Sequence, residues 1–147
     1  MPAKGREATE AKGRRVVSIS KSDEADKSLY ERIGEEPFRR IVHAFYQGVA
    51  EDPELRALYP EEDLGPAEER LALFLIQYWG GPSTYSQERG HPRLRMRHVG
   101  FHIDFDARDL WLKHMRAAVD GAGLLEADRD ELWAYLEHAA NFMVNAA

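Results

Sequence analysis

The feature of this sequence that most limits its possible folds is a row of apolar residues at helical spacing. Phe38, Ile41, Val42, Phe45 and Val49 follow one another at intervals that place them on one face of an α-helix. The stretches "PAEERLALFLIQYW" and "ELWAYLEHAANFM" repeat the pattern. A strand-like alternation occurs only in one short run near the N-terminus, which cannot make a sheet alone. We therefore predict an all-α fold with about four substantial helices and several short ones.

Prolines and glycines mark the ends of the predicted helices. Proline at the first helical position loses no hydrogen bond, and Pro37 and Pro53 each stand at such a start. The Gly80–Pro82 triplet ends the helix before it, because glycine tolerates a left-handed cap and proline cannot continue the helix. The next clear start is an aspartate cap at Asp104 or Asp106. Most of the residues between these two points are predicted to be irregular.

Length and composition predict one domain with a charged extension. Charged and small side chains predominate near the start, so we expect residues 1–26 to be a disordered tail and residues 27–147 to form the domain. No run approaches the roughly 20 apolar residues of a membrane span, and the start lacks the apolar stretch of a secretory signal. The absence of cysteine fits a reducing compartment, and we expect a cytoplasmic protein. The net charge of −6 disfavours nucleic acid as the main partner.

A cationic segment interrupts this acidic chain at residues 89–103, "RGHPRLRMRHVGFHI". It contains four arginines and three of the six histidines, and its apolar residues argue against disorder. One interpretation is a solvated basic face. The other is a binding site for a negatively charged ligand that also requires a nitrogen donor.

Three classes of ligand fit this segment unequally. Zinc would use His98 and His102, four residues apart, but it needs three or four protein ligands, and no cysteine or HExxH motif supplies the rest. Nucleic acid would need a basic surface beyond the segment. Haem would use His98 as axial ligand, Met96, Val99 and Phe101 as apolar walls, and the arginines beside its propionates. The residues alone leave open haem, a core histidine and a haem-free helical interaction module.

Longer motifs in the chain resemble those of the group II truncated haemoglobins, the bacterial O-type globins. They are "FYQGVAEDPELRALYPEEDL", "YWGGP", "RGHPRLRMRH" and a tryptophan thirteen residues after the last histidine of that run, and the resemblance extends from Leu29 to Asn145. It implies a two-over-two helical sandwich that encloses haem b. One departure is visible: only Gly34 stands where the family often has a glycine pair between its first two helices.

The resemblance also implies roles for individual residues. His98 matches the proximal iron ligand, and Tyr46, Tyr59 and Trp111 match distal side chains that donate hydrogen bonds to a bound ligand. Ala67 falls where many other globins have a distal histidine. Together with the segment itself, the resemblance predicts further haem contacts: the walls are Phe45, Leu71, Phe74, Leu75, Met96 and Phe101, and the propionate partners are Arg97 and Arg70.

The implied function is binding of O₂, and of other small ligands such as CO and NO, at ferrous haem iron, with the distal donors retaining O₂. The alternative is a redox enzyme, a nitric oxide dioxygenase or a peroxidase-like protein, that uses the same haem. Repeated reduction of the iron would then need a separate electron-donating reductase, because the sequence has no GxGxxG fingerprint. A homodimer is a further assembly that the sequence allows.

Overall fold

The computed structural model describes residues 26–146, and every regular element in that range is helical. The predicted all-α fold is therefore confirmed. The predicted tail falls outside the described residues, except for Asp26. The helices are α1 (Leu29–Ile33), α2 (Glu35–Ala50), α3 (Pro53–Arg56), α4 (Gly65–Tyr78), α5 (Thr84–Arg89), α6 (Leu94–Arg97), α7 (Phe105–Asp120) and α8 (Glu126–Met143).

Side-chain caps and one glycine set several of the helix starts. Asp104 caps α7 by accepting a hydrogen bond from the backbone N–H of Ala107 at 2.8 Å. Of the two aspartates predicted as possible caps, Asp104 is therefore the cap of α7. Pro37 is the third residue of α2 and not the first, which costs no hydrogen bond because the first four N–H groups of a helix have no partner within it. Gly34 alone joins α1 to α2, with a φ of +81° that favours glycine.

The four long helices form two packed pairs. Helix α2 contacts α4 and α7, and α7 also contacts α8, so that α2 and α4 lie against α7 and α8. The centre of the core is formed by fully buried side chains of these helices: Phe38, Phe45, Leu75, Met115, Leu132 and Leu136. Burial of such apolar surface is the main force that holds the layers together. The arrangement agrees with the predicted two-over-two sandwich.

The segment between α4 and α7 is more ordered than its sequence predicts. It contains the short helices α5 and α6, where an irregular run is predicted, and Gly90 and Arg93 between them have φ values of +80° and +43°. The side chain of Asn145 accepts from the N–H of Ile103 at 3.0 Å and donates to the carbonyl of Phe101 at 2.9 Å. This part of the chain is thus tied to the residues after α8.

None of the helices between residues 26 and 146 is long and apolar enough to cross a membrane.

Candidate functional site

A cavity of about 560 Å³ lies between the helix pairs. Its wall takes side chains from each helix from α2 to α8 and from the turns before α4 and α7. Cofactor sites typically have volumes of roughly 300–1,000 Å³ and mostly apolar walls with a few polar groups. The cavity therefore has the size and character of a site for one organic cofactor.

His98 supplies a nitrogen donor at one side of this cavity. It follows the last residue of α6, is half-buried, and its Nδ1 lies 2.6 Å from the carbonyl oxygen of Leu94. Because a carbonyl oxygen only accepts hydrogen bonds, the proton of the neutral imidazole lies on Nδ1, and Nε2 of that tautomer has a free lone pair. A metal-binding histidine is commonly oriented by such a bond from its other ring nitrogen. Nε2 of this ring could thus hold the iron of a haem.

His102, the second histidine considered for zinc, lies elsewhere. Its side chain is exposed, 3.7 Å from the carboxylate of Asp104, and it does not line the cavity. Between residues 26 and 146, no three histidine, cysteine or acidic side chains come together as a metal site. His98 therefore has no co-ligands there for the zinc site that was considered.

Three polar aromatic residues from separate elements meet in the cavity wall. Tyr46 of α2, Tyr59 of the turn before α4 and Trp111 of α7 all line it, and the rings of Tyr46 and Tyr59 are edge-on at 5.7 Å. Burial raises the pKa of Tyr59 to about 12, although the neighbouring polar groups of Tyr46 and Trp111 act in the lowering direction. Burial likewise raises the pKa of Tyr46. Both hydroxyls therefore stay protonated at neutral pH and can donate hydrogen bonds.

Most of the predicted apolar wall residues line the cavity, and three do not. The lining includes Ala67, Leu71, Phe74, Leu75 and Phe101.

Phe45, Met96 and Val99 lie outside the cavity lining, and Val99 is 75% exposed. Phe45 is fully buried in the layer behind it, where its ring packs 5.0 Å from Tyr46 and 5.2 Å from Trp111. Met96 is 58% exposed because Leu94 and His98 face the cavity, and a residue midway between two positions four apart lies on the opposite side of a helix. For these three residues, the sequence predicts direct contact with a cofactor, but the structure places them outside the cavity wall.

The two arginines predicted beside the propionates both line the cavity, but each already has partners. Arg97 donates to the carbonyls of Pro92 at 2.6 Å, Arg89 at 2.7 Å and His91 at 3.1 Å. These bonds satisfy donors without neutralising the charge of Arg97. Arg70 instead forms an ion pair of 2.6 Å with Glu61, and this hydrogen bond lowers the pKa of the Glu61 carboxyl.

Sequence reasoning missed the contribution of the last helix to this wall. The apolar row of α8 was recognised as a helical face, but nothing in its spacing distinguishes a cavity wall from a core. Further lining residues without an individual prediction lie on α5, α7 and α8: Tyr85, Arg89, Ala107, Arg108, Tyr135, Leu136, Ala139, Ala140 and Met143. Tyr85 and Tyr135 add two more polar aromatic rings to the site.

Comparison with known proteins places this geometry in a family. The family model for bacterial-like globins matches residues 28–145. The group 2 truncated haemoglobin YjbI of Bacillus subtilis (strain 168) is 43% identical over 116 residues, which cover 79% of this chain and 87% of that protein. A group 2 truncated haemoglobin of Lotus japonicus is 35% identical over 122 residues, which cover 81% of this chain and 73% of that protein.

Solved structures agree with the sequence relatives. A thermostable haemoglobin of the actinobacterium Thermobifida fusca has a TM-score of 0.79 and 61% identity, and the match covers 80% of this chain and 97% of that one. The truncated oxygen-avid haemoglobin of Bacillus subtilis has a TM-score of 0.77 and 42% identity, with 81% of this chain and 100% of that chain covered. The similarity thus includes nearly the whole length of these proteins.

Proposed function

Since this chain belongs to the bacterial-like globin family, as a group II truncated haemoglobin, we propose that it holds haem b through His98 and retains O₂ through Tyr46, Tyr59 and Trp111. Membership of the family implies haem-based binding of O₂ and similar diatomic ligands. Beyond what family membership implies, we propose haem b as the cofactor, these roles for the named residues, and a cytoplasmic location.

The single observation that carries the proposal is the hydrogen bond between Nδ1 of His98 and the carbonyl of Leu94 at 2.6 Å. This bond orients the ring at the cavity wall and leaves the lone pair of Nε2 free to bind iron. Ferrous haem, when bound, supplies the open coordination position at which a diatomic ligand is taken up. No other histidine lines the cavity among the described residues.

The distal donors support retention of O₂ in preference to easy release. Charge moves onto O₂ when it binds, and a hydrogen bond to a charged acceptor contributes about 1.5–3 kcal/mol. Two such bonds would slow dissociation by roughly two to four powers of ten, at about 1.4 kcal/mol per power. The Bacillus subtilis protein that is 42% identical is described as oxygen-avid, which agrees with this expectation.

Arg97 is the better candidate for the propionates. Its charge faces the cavity with only carbonyl partners, whereas the charge of Arg70 is already balanced by Glu61. A guanidinium without a carboxylate partner favours a carboxylate of the cofactor.

The test is titration of the purified protein with hemin, followed by absorption spectra of the ferric, ferrous and CO-bound forms. We expect saturation at one hemin per chain and a spectrum of histidine-ligated iron. His98→Ala should lose stable haem retention, whereas His102→Ala, in the same loop but outside the cavity, should keep it. Equal retention and unchanged spectra in both variants would remove His98 from its proposed role.

The alternative function, nitric oxide dioxygenation or peroxidase-like turnover, uses the same site and depends on a supply of electrons. The feature that supports it is the exposed cationic surface beside His98, formed by Arg93 and Arg95. Mixing the oxygenated ferrous protein with NO tests the dioxygenase. Conversion of the iron to the ferric state with stoichiometric nitrate would support that activity, and iron that stays ferrous without nitrate would rule it out.

A further inference from the structure

The haem site does not account for all the arginines of residues 89–103. This segment has four arginines and no aspartate or glutamate, so it carries +4. Since the whole chain carries −6, the rest of the sequence carries −10. A local excess of this size, opposite in sign to the rest of the molecule, creates a field that selects partners by charge.

Two of these arginines, Arg93 and Arg95, have no role in the cavity. Neither lines it, both are exposed, and neither has a carboxylate within 4.0 Å among the described residues. Arginines elsewhere are mostly paired, as Arg39 is with Glu35 and Glu69. The charges of Arg93 and Arg95 are therefore available to a partner.

Exposed apolar side chains lie among these charges. Met96 is 58% exposed, Val99 is 75% exposed, and both lie outside the cavity lining. Arg95 extends to the end of α8, where it donates to the carbonyl of Phe142 at 3.0 Å and lies 5.2 Å from the centre of that ring. Phe142 itself is 52% exposed. We call Arg93, Arg95, Met96, Val99 and Phe142 together the basic face.

The basic face adjoins the proposed iron ligand. Arg95 and Met96 belong to α6, the helix whose first residue, Leu94, accepts the hydrogen bond from His98. Arg97 of the same helix lines the cavity. A partner seated on the basic face would therefore lie one helix away from the site proposed for haem.

We propose that the basic face is the docking surface for an acidic one-electron donor protein with a flavin or iron–sulfur centre. The donor gives one electron to ferric haem iron, which becomes ferrous while the donor centre is oxidised by one electron, and no bond is made or broken. The proposal rests on the proposed haem site. The exposed arginines would bind the donor protein, and the donor would supply the electrons that turnover, or recovery from oxidation, requires.

The composition of the basic face favours a transient protein partner. Apolar side chains with charged groups around them are the usual anatomy of a protein interface. Charge complementarity mainly raises the association rate, which suits a donor that must bind, transfer an electron and leave. A second copy of this chain, whose remaining surface is acidic, and an anionic membrane are the competing occupants.

The experiment measures reduction of the ferric haem-loaded protein by reduced plant-type ferredoxin, a small acidic iron–sulfur protein, in an anaerobic stopped-flow instrument. The test variant is Arg93→Asp/Arg95→Glu; aspartate tolerates the left-handed backbone of Arg93 better than glutamate does. Arg93→Asn is the milder second variant. The control is Lys113→Glu, an exposed cation of α7 that lines neither the cavity nor the basic face.

We expect the second-order rate constant of the double variant to fall by about ten-fold or more at low ionic strength, with a smaller fall for Arg93→Asn. The rate of the wild type and of Lys113→Glu should fall steeply with added salt, and that of the double variant only weakly. Photoreduced lumiflavin, a neutral small reductant, should reduce all variants at equal rates.

Equal ferredoxin rates and salt slopes in wild type and double variant would overturn the proposal. So would a salt-sensitive dimer, seen by sedimentation velocity and lost in the double variant, because the face would then belong to a second copy. Binding of the wild type to phosphatidylserine vesicles with unchanged ferredoxin kinetics would assign it to a membrane. Failure of the wild type to bind hemin refutes the haem site itself and is detected before any kinetics.

Discussion

The proposed hydrogen bonds from the distal side chains predict a slow dissociation of O₂, and Trp111→Phe tests this prediction with the least change in packing. Trp111 lines the cavity, and its ring packs 5.2 Å from the buried ring of Phe45. Phenylalanine keeps an aromatic ring against Phe45 and removes the indole N–H, the only hydrogen-bond donor of this side chain. The variant therefore separates hydrogen bonding from packing.

The expected magnitude follows from one lost hydrogen bond to a charged acceptor. Such a bond contributes about 1.5–3 kcal/mol, and about 1.4 kcal/mol corresponds to a ten-fold change. We therefore expect O₂ dissociation to become about 10- to 100-fold faster. The dissociation of CO should change much less, because CO acquires less negative charge on its outer atom.

The assay is displacement of O₂ by excess CO in a stopped-flow instrument. Trp133→Phe is the matched control: Trp133 is half-buried on α8, lies beneath the guanidinium of Arg116 at 5.1 Å and does not line the cavity. Its off-rate should equal that of the wild type. An O₂ off-rate for Trp111→Phe within about two-fold of the wild type would show that the indole only packs, and that the tyrosines alone retain the ligand.

The closeness of the three distal side chains to one another leads to a second prediction for O₂ dissociation. The rings of Tyr46 and Tyr59 lie edge-on at 5.7 Å, and Tyr46 and Trp111 both influence the pKa of Tyr59, so the three side chains form one network of neighbours. Side chains that share a network show non-additive effects. Tyr46→Phe combined with Trp111→Phe should therefore change the free energy of O₂ dissociation by an amount different from the sum of the single changes. Additive effects would mean that each donor contacts the ligand independently.

Three further changes test the framework of the site. Asn145→Ala removes the side-chain bonds to Ile103 and Phe101 and should lower the free energy of unfolding by about 1–2 kcal/mol and speed haem loss, measured by urea titration and transfer to apomyoglobin. Gln87→Ala, which removes an exposed bond to Ser83 outside the cavity lining, should leave haem loss unchanged. The hydrogen bond from His114 lowers the pKa of the Asp52 carboxyl below its ordinary value of 3.8. The ionised carboxylate therefore stabilises the fold above pH 3.8, and this stabilisation is lost as the pH falls through the lowered pKa. Wild type and Asp52→Asn should therefore differ in the urea midpoint of unfolding at pH 7 and converge in acid. Arg93→Gly removes left-handed strain at φ +43° and should raise the melting temperature, by an amount that corresponds to up to about 1 kcal/mol; a lowered melting temperature would show that the arginine side chain stabilises this turn.

The helices were predictable because their signals are local. The buried row of α2 lies at helical spacing in the sequence, and Asp104 caps α7 through a backbone N–H only three residues away. Helix α6 was not predictable, because it has four residues and begins after Arg93 in a left-handed conformation that arginine seldom adopts. Its orientation decides that His98 faces the cavity and Met96 does not.

The arginines show where sequence reasoning about the site ends. Within one run of nine residues, Arg97 holds backbone carbonyls and lines the cavity, Arg89 lines the cavity, and Arg93 and Arg95 face outward. Composition marks all four alike as candidates for an anionic ligand. What separates them is the direction that α5 and α6 give to each side chain, and that direction depends on tertiary contacts such as the bond from Arg95 to the end of α8. A cofactor with two carboxylates can balance at most two of these charges, so the outward pair needs a partner of its own.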